Sequence, residues 1–275
     1  MIANIALIAW PVISLVFYLT MSSGRATIWT LLGGYLLLPV MVNFKFQGLP
    51  AFDKELIPNL TALVLAPLMA RRGEFRWPRS VTVNLLMLIF VLVPIGTTLT
   101  NREPITIGSL ILPGLSPWET LSSSVSNALT LVPFVLGAAL LNTEGGHRDL
   151  LKAFVLGALI YVGPVLAEIR LSPFLLAKVY GVDNGFFIQQ IRYGGFRAMV
   201  FLGHGLLISA YFAIALMAAI GLWRMGVRIF SLPMGLIAAL LALMLVLNKT
   251  FGPIILLLLF VPLFLLLNSR KYLTV

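Results

Sequence analysis

Two arginines stand five positions apart around a pair of glycines in Arg192-Tyr-Gly-Gly-Phe-Arg197. Their planar guanidinium forks bind phosphate oxygens bidentately and keep their charge beside lipid. Gly194 and Gly195 let a backbone approach a ligand closely and offer N–H donors. These residue types at this spacing suit a phosphate or diphosphate. They equally suit anchoring at a membrane interface, with Tyr193 and Phe196 beside the charges. His204 follows about two helical turns after Arg197. It is a proton acceptor, a donor to a phosphate or sugar, or a satisfied structural partner. No carboxylate or second histidine lies at ligand spacing from it, so a metal site is not indicated. Lys249, in Asn248-Lys-Thr-Phe-Gly-Pro253, is either a further anion contact or an anchor. Glu168 either pairs with Arg170 or acts as a base. Gly205, Ser209 and Ala213 recur every fourth residue, a small face that lets a neighbouring helix come close. On the adjacent stripe, Tyr211 either shares a polar pocket with His204 or simply packs.

The elements that must position these residues follow from composition. The 275 residues are 60% hydrophobic and 10% charged, whereas soluble domains carry about 45–50% apolar and about 25% charged residues. So few charges do not cover a soluble surface, and a disordered chain needs the opposite balance. The absence of cysteine excludes disulfides, thiolate metal sites and a cysteine nucleophile. An all-α, polytopic membrane protein is expected, in direct contact with membrane lipid. The net charge of +10 does not point to nucleic acid. Its basic residues sit in short clusters between apolar runs, as at Arg71, Arg72, Arg76 and Arg79, rather than on one patch.

A spanning helix needs about 20 mostly apolar residues. About nine segments qualify: 2–20, 27–43, 57–70, 81–99, 122–141, 151–169, 198–222, 230–247 and 252–268. The third is short, and serines crowd the start of the fifth. Alternating segments of the β-barrel kind are absent. The first segment lacks a basic leader, so it is expected to remain as a span. Arg25, Arg71, Arg72, Arg76, Arg79, Arg148, Lys152, Arg224, Arg228, Arg270 and Lys271 fall in one set of loops, which also holds few acids. Assigning that set to the cytoplasm puts the N-terminus outside and the C-terminus inside. Residues 44–56, 100–121 and 170–197 then face outward. The last is the longest loop, and Pro173 to Tyr180 has the spacing of a short interfacial helix. Residues 1–275 read as one transmembrane domain, with no phosphate-binding loop for ATP hydrolysis.

Arg197-Ala-Met-Val-Phe-Leu-Gly-His-Gly205, opening an apolar segment, resembles the O-antigen ligase and O-antigen polymerase superfamily. Those membrane glycosyltransferases typically show Arg-Ala-Thr-Gly-Thr-Phe-Gly-(Asn or His)-Pro-Asn at a helix start. Arg197, Ala198, Gly203 and His204 match, while Val200 replaces a glycine, Gly205 a proline and Leu206 an asparagine. The family's Thr/Ser-Arg-Gly turn corresponds to Thr250-Phe251-Gly252, where the arginine is lost and Lys249 stands nearby. The resemblance covers residues 190–268. It implies glycan transfer from an undecaprenyl-diphosphate carrier at the outer face of the bacterial inner membrane, with neither metal nor cofactor. It implies Arg197, Arg192 and Lys249 as diphosphate ligands. No residue is assigned as catalyst, and His204 is the candidate. The family's large outer loop usually follows this region, so a truncated or shortened relative is expected. Two other readings stand beside it. One is a transporter or flippase of lipid-linked or anionic solutes, which calls for broken polar helices at mid-membrane. The other is a noncatalytic membrane subunit of a polysaccharide export or assembly complex.

Overall fold

The computed structural model describes residues 1–266 except Arg72, Pro78, Asn184 and Phe186. Arg72, Arg270 and Lys271 of the expected cytoplasmic set, and the end of segment 252–268, therefore lie outside the described residues. Among the described residues the chain is all-α apart from three two-stranded hairpins and one isolated bridge. It divides into two compact units, Met1–His147 and the part from Arg148 onward, where composition alone shows no boundary.

The first unit contains α1 (Ile2–Thr20), α2 (Ser23–Leu37), α3 (Leu56–Met69), α4 (Val81–Thr100), the hairpin β1 (Ile105–Ile107) and β2 (Leu110–Leu112), α5 (Pro117–Thr130) and α6 (Val132–Leu140). Helices α1, α2 and α3 pack mutually, α6 joins α2 and α3, and α4 pairs with α5. Glycine makes the first contact possible. The Trp10 ring comes within 3.1 Å of where a Gly33 side chain would start, and its Nε1–H donates to Thr30 O at 3.1 Å. Pro58 of α3 packs against Gly34, where any Cβ would collide with it.

Alternate connections meet each other at the same end of the helices. The Ser23 hydroxyl lies 3.3 Å from Met69 O and 3.2 Å from the Glu74 carboxylate, and Arg76 N–H donates to Ala139 O at 3.3 Å. Ser23, Met69, Glu74, Arg76 and Ala139 are thus gathered at one end of the unit. Phe44 bridges Phe52, and the Trp118 ring lies against Gly48, which gathers 44–52 and the start of α5.

From Arg148 the second unit runs through the rest of α7 (Glu144–Leu171), α8 (Leu175–Tyr180), a 3₁₀ turn (Phe187–Gln190), the hairpin β3 (Ile191–Arg192) and β4 (Gly195–Phe196), α9 (Gly205–Arg224), β5 (Arg228–Ile229), β6 (Leu232–Pro233), α10 (Met234–Leu247) and α11 (Phe251–Leu266). Helix α9 packs chiefly on α10, and α11 touches both. Tyr211 of α9 donates its hydroxyl to Phe154 O of α7 at 2.9 Å and stacks edge-on against Tyr161.

Among the described residues, five helical stretches are long and apolar enough to cross a membrane: Ile2–Thr20, Val81–Thr100, Pro117–Leu140, Glu144–Leu171 and Gly205–Arg224. Leu56–Met69, Met234–Leu247 and Phe251–Leu263 are apolar but shorter. These helices suit contact with lipid and a membrane location. Several expected segments differ in their bounds: the sixth starts earlier, at Glu144, the eighth later, at Met234, and three others differ for identifiable reasons. The second helix runs Ser23–Leu37 and ends before Pro39, because the residue preceding a proline is driven out of the helical region. The fifth starts at Pro117, five residues earlier than expected, because Ser116 and Glu119 form a reciprocal capping box there. The seventh starts at Gly205 instead of residue 198, since Val200 (φ 43°) and Gly203 (φ 79°) take the left-handed backbone that a right-handed helix does not allow. As expected, a short helix occupies Leu175–Tyr180.

Candidate functional site

Gln190, Arg192, Arg197, His204 and Lys249 come together at the start of α9, and sequence spacing alone does not explain how. β3 and β4 pair Arg192 with Gly195 and Ile191 with Phe196. Tyr193 (φ 48°) and Gly194 (φ 68°) both sit in the left-handed region, as a two-residue turn of the primed type requires. Gly195 passes directly beneath Lys249, whose Nζ would collide with a Cβ there. Lys249 Nζ donates to Arg192 O at 3.2 Å, tying the α10–α11 turn to the hairpin. The two glycines therefore shape the turn and admit the lysine.

Arg197 is only 8% exposed. Its backbone N–H donates to Gln190 O at 2.9 Å, and its Nη2 and Nε reach Gln190 Oε1 at 3.2 and 3.4 Å. The same oxygen accepts the Gly205 N–H at 3.1 Å. A side chain at residue 205 would meet that oxygen at 2.8 Å and Arg197 Nε at 3.0 Å, so glycine is required where α9 begins against the guanidinium. Burial first, and the nearby Arg192 charge second, lower the Arg197 pKa from its usual value. Among the described residues, no carboxylate forms an ion pair with Arg192, Arg197 or Lys249. A buried cation is normally paired, because its lost hydration is costly.

The buried carboxylate of the same region is already committed. Glu168, 1% exposed, accepts Leu175 N–H at 2.9 Å on one oxygen, and Met199 and Val200 N–H at 2.8 Å each on the other. Val200 has φ 43°, a strained conformation for a β-branched residue, and the carboxylate sits in the concavity made by the successive N–H groups. Glu168 is thus an anchor of the segment entering α9, in place of the expected pairing with Arg170. It also lines a cavity of about 300 Å³ with Asp183 and apolar residues of α8. Two carboxylates make that cavity a poor host for an anion.

His204 is the N-cap of α9 and stands outside the helix itself. Its Nδ1 accepts the Leu206 N–H at 3.1 Å, which assigns the ring proton to Nε2, 3.3 Å from Gln189 Oε1. Burial first and the Arg197 charge second hold its pKa below the ordinary histidine value. The imidazole is therefore a neutral Nε2–H donor. The Tyr211 hydroxyl donates to Phe154 O of α7.

Sequence reasoning missed Gln190 and the role of Asn248, both fully buried. Asn248 Oδ1 accepts Ala198 N–H at 2.9 Å, while its Nδ2 donates to Gly205 O at 2.9 Å and Ser209 Oγ at 2.7 Å. The small face of α9 thus receives an amide as well as a helix. Their signal was available: amides within or beside highly apolar segments demand partners. No protein family model, curated protein or solved structure matches this chain.

Proposed function

We propose that the chain is a membrane glycan transferase of the O-antigen ligase or polymerase type, acting on a polyprenyl-diphosphate carrier such as undecaprenyl diphosphate. In this reading it lies in the bacterial inner membrane with the start of α9 facing outward. Its N-terminus is outside, its C-terminus is cytoplasmic, and about nine segments span. Arg197, Arg192 and Lys249 hold the diphosphate. The carrying observation is that Arg197 is buried beside two further cations with no carboxylate paired to it among the described residues. A dianionic ligand supplies the missing charge, and arginine forks fit its oxygens. The resemblance gains support at one departure from its pattern. Val200 stands where the family has glycine, and its φ of 43° is the conformation that glycine favours.

Chemically, an acceptor hydroxyl displaces the diphosphate from the sugar's anomeric carbon; the leaving diphosphate takes the bonding electrons, and the hydroxyl proton passes to its oxygens or to water. Fixed cations stabilise that charge where it develops. The Nε2–H of His204 suits a donor to a phosphate oxygen better than a base. That same tautomer favours a second reading, a carrier-binding subunit without turnover of its own. The two readings separate when the purified chain is reconstituted with an undecaprenyl-diphosphate-linked oligosaccharide and a glycan acceptor. Release of free undecaprenyl diphosphate, abolished in Arg197→Ala and much reduced in Lys249→Ala, supports the transferase. Carrier binding without release supports the subunit.

A further inference from the structure

In the first unit, residues 47–49 and the opening turns of α5 enclose a groove of about 410 Å³, lined by Gln47, Gly48, Ser116, Trp118, Ser122 and Ser123 together with Leu49 and Glu119. This volume falls within the range of about 300–1,000 Å³ usual for small-molecule sites. Its chemistry is unusual for this chain, which is otherwise apolar. Glu119, Ser122 and Ser123 share one face of α5, at spacings of three and four residues. Among the described residues, the side chains of Gln47, Ser122 and Ser123 have no hydrogen-bond partner. Glu119 uses Oε2 to accept the Ser116 N–H. A carboxylate oxygen has further acceptor capacity, so Oε1 is left for a donor from outside.

Trp118 is 59% exposed yet held in place. One edge of its indole lies against Gly48, where a Cβ would come within 2.7 Å of Cε3. Gly48 has φ 77°, so glycine is needed there both for the turn and for the close approach. A pinned, exposed indole beside hydroxyl, amide and carboxylate groups is the combination that recognises a sugar ring. The aromatic face takes the ring's C–H surface, and the polar groups take its hydroxyls.

We propose that this groove binds a neutral pyranose ring, with Trp118 as the stacking face and Gln47, Glu119, Ser122 and Ser123 as hydroxyl partners. It shares no residue with the cluster at α9 and does not depend on the carrier reading. The test is saturation-transfer NMR on the full chain in lipid nanodiscs, with glucose, galactose, mannose and N-acetylglucosamine as probes. At least one is expected to give saturation on its C–H face. Trp118→Ala is expected to weaken that binding about tenfold, and Trp118→Phe, which keeps a stacking ring, by no more than about threefold. Ser122→Ala combined with Ser123→Ala is expected to weaken it without changing the unfolding temperature. Arg197→Ala is expected to leave it unchanged, which separates this groove from the diphosphate site. Saturation from none of the four sugars, or equal saturation with Trp118→Ala, overturns the proposal and leaves Trp118 as an interfacial anchor.

Discussion

Two helix starts in this chain handle the same electrostatic problem in opposite ways. Every α-helix begins with orphan N–H groups and the positive end of its dipole. At α5 the chain supplies its own anion. Ser116 accepts the Glu119 N–H, and the Glu119 carboxylate returns to the Ser116 N–H. At α9 the orphan N–H groups are equally satisfied, but by neutral acceptors, Gln190 Oε1 and His204 Nδ1. Beside them stand Arg197, Arg192 and Lys249, which add positive charge to a positive helix end. Satisfying hydrogen bonds and balancing charge are thus separate tasks. The α5 start completes both, while the α9 start completes only the first with the described residues of its own chain, which is the observation behind the proposed anion site.

The strongest way to break the contrast is to remove the anchor that shapes the approach to α9. Glu168→Ala strips the acceptor from three backbone N–H groups, two of them on Met199 and Val200. Since each buried unsatisfied group costs about 1–3 kcal/mol, a loss of about 3 kcal/mol or more is expected. It is read as a lower unfolding temperature in detergent. Glu168→Gln keeps one acceptor oxygen, enough for Met199 and Val200, but turns an amide NH2 toward the Leu175 N–H, and it should lose roughly half as much.

Gly205→Ala attacks the same place more gently, by pressing a methyl group against Gln190 Oε1 and Arg197 Nε. Binding of undecaprenyl diphosphate is expected to weaken about tenfold, measured by native mass spectrometry. Ser116→Ala sharpens the comparison from the other side. It should cost about 1 kcal/mol of stability, as loss of an N-cap does, and leave carrier binding unaltered.

The smallest effect is the pH dependence from His204. Its folded pKa lies below the ordinary value of about 6.5, so the unfolded chain binds the proton more readily. Stability from this group is complete above about pH 6.5 and is lost as pH falls through the folded pKa. His204→Asn, which keeps a capping side chain, should remove that acid-side loss in a thermal-unfolding series.

The helical class was legible because 60% apolar content and long unbroken runs leave few alternatives. Most helix positions followed the same signal. The late start of α9 did not, since Ala198 to Leu202 look as apolar as the helix they precede. The left-handed Val200 is held by the N–H groups of Ala198, Met199 and Val200, which donate to Glu168 and Asn248, 30 or more residues away, and no local pattern reports such partners. Arg192, Arg197, His204 and Lys249 were found from residue type. Their common frame was not, because it depends on Gln190 and Asn248 as buried amides and on a hairpin of only two paired residues per strand. Glu119 illustrates the reverse case. Ser116 three residues ahead of Glu119 is a capping box readable from spacing, yet the serines that follow drew attention away from it.

On the proposed reading, the start of α9 awaits an anionic headgroup. The most direct measurement compares binding of undecaprenyl diphosphate and of the uncharged alcohol undecaprenol to the full chain, wild type against Lys249→Ala and Arg192→Ala. Headgroup recognition predicts that wild type prefers the diphosphate by about a thousandfold, as three charge-assisted contacts of about 1.5 kcal/mol each require. Each variant should then lose about tenfold of that preference while binding the alcohol as before. Equal binding of diphosphate and alcohol by the wild type would contradict the account, and the three cations would then be interface anchors.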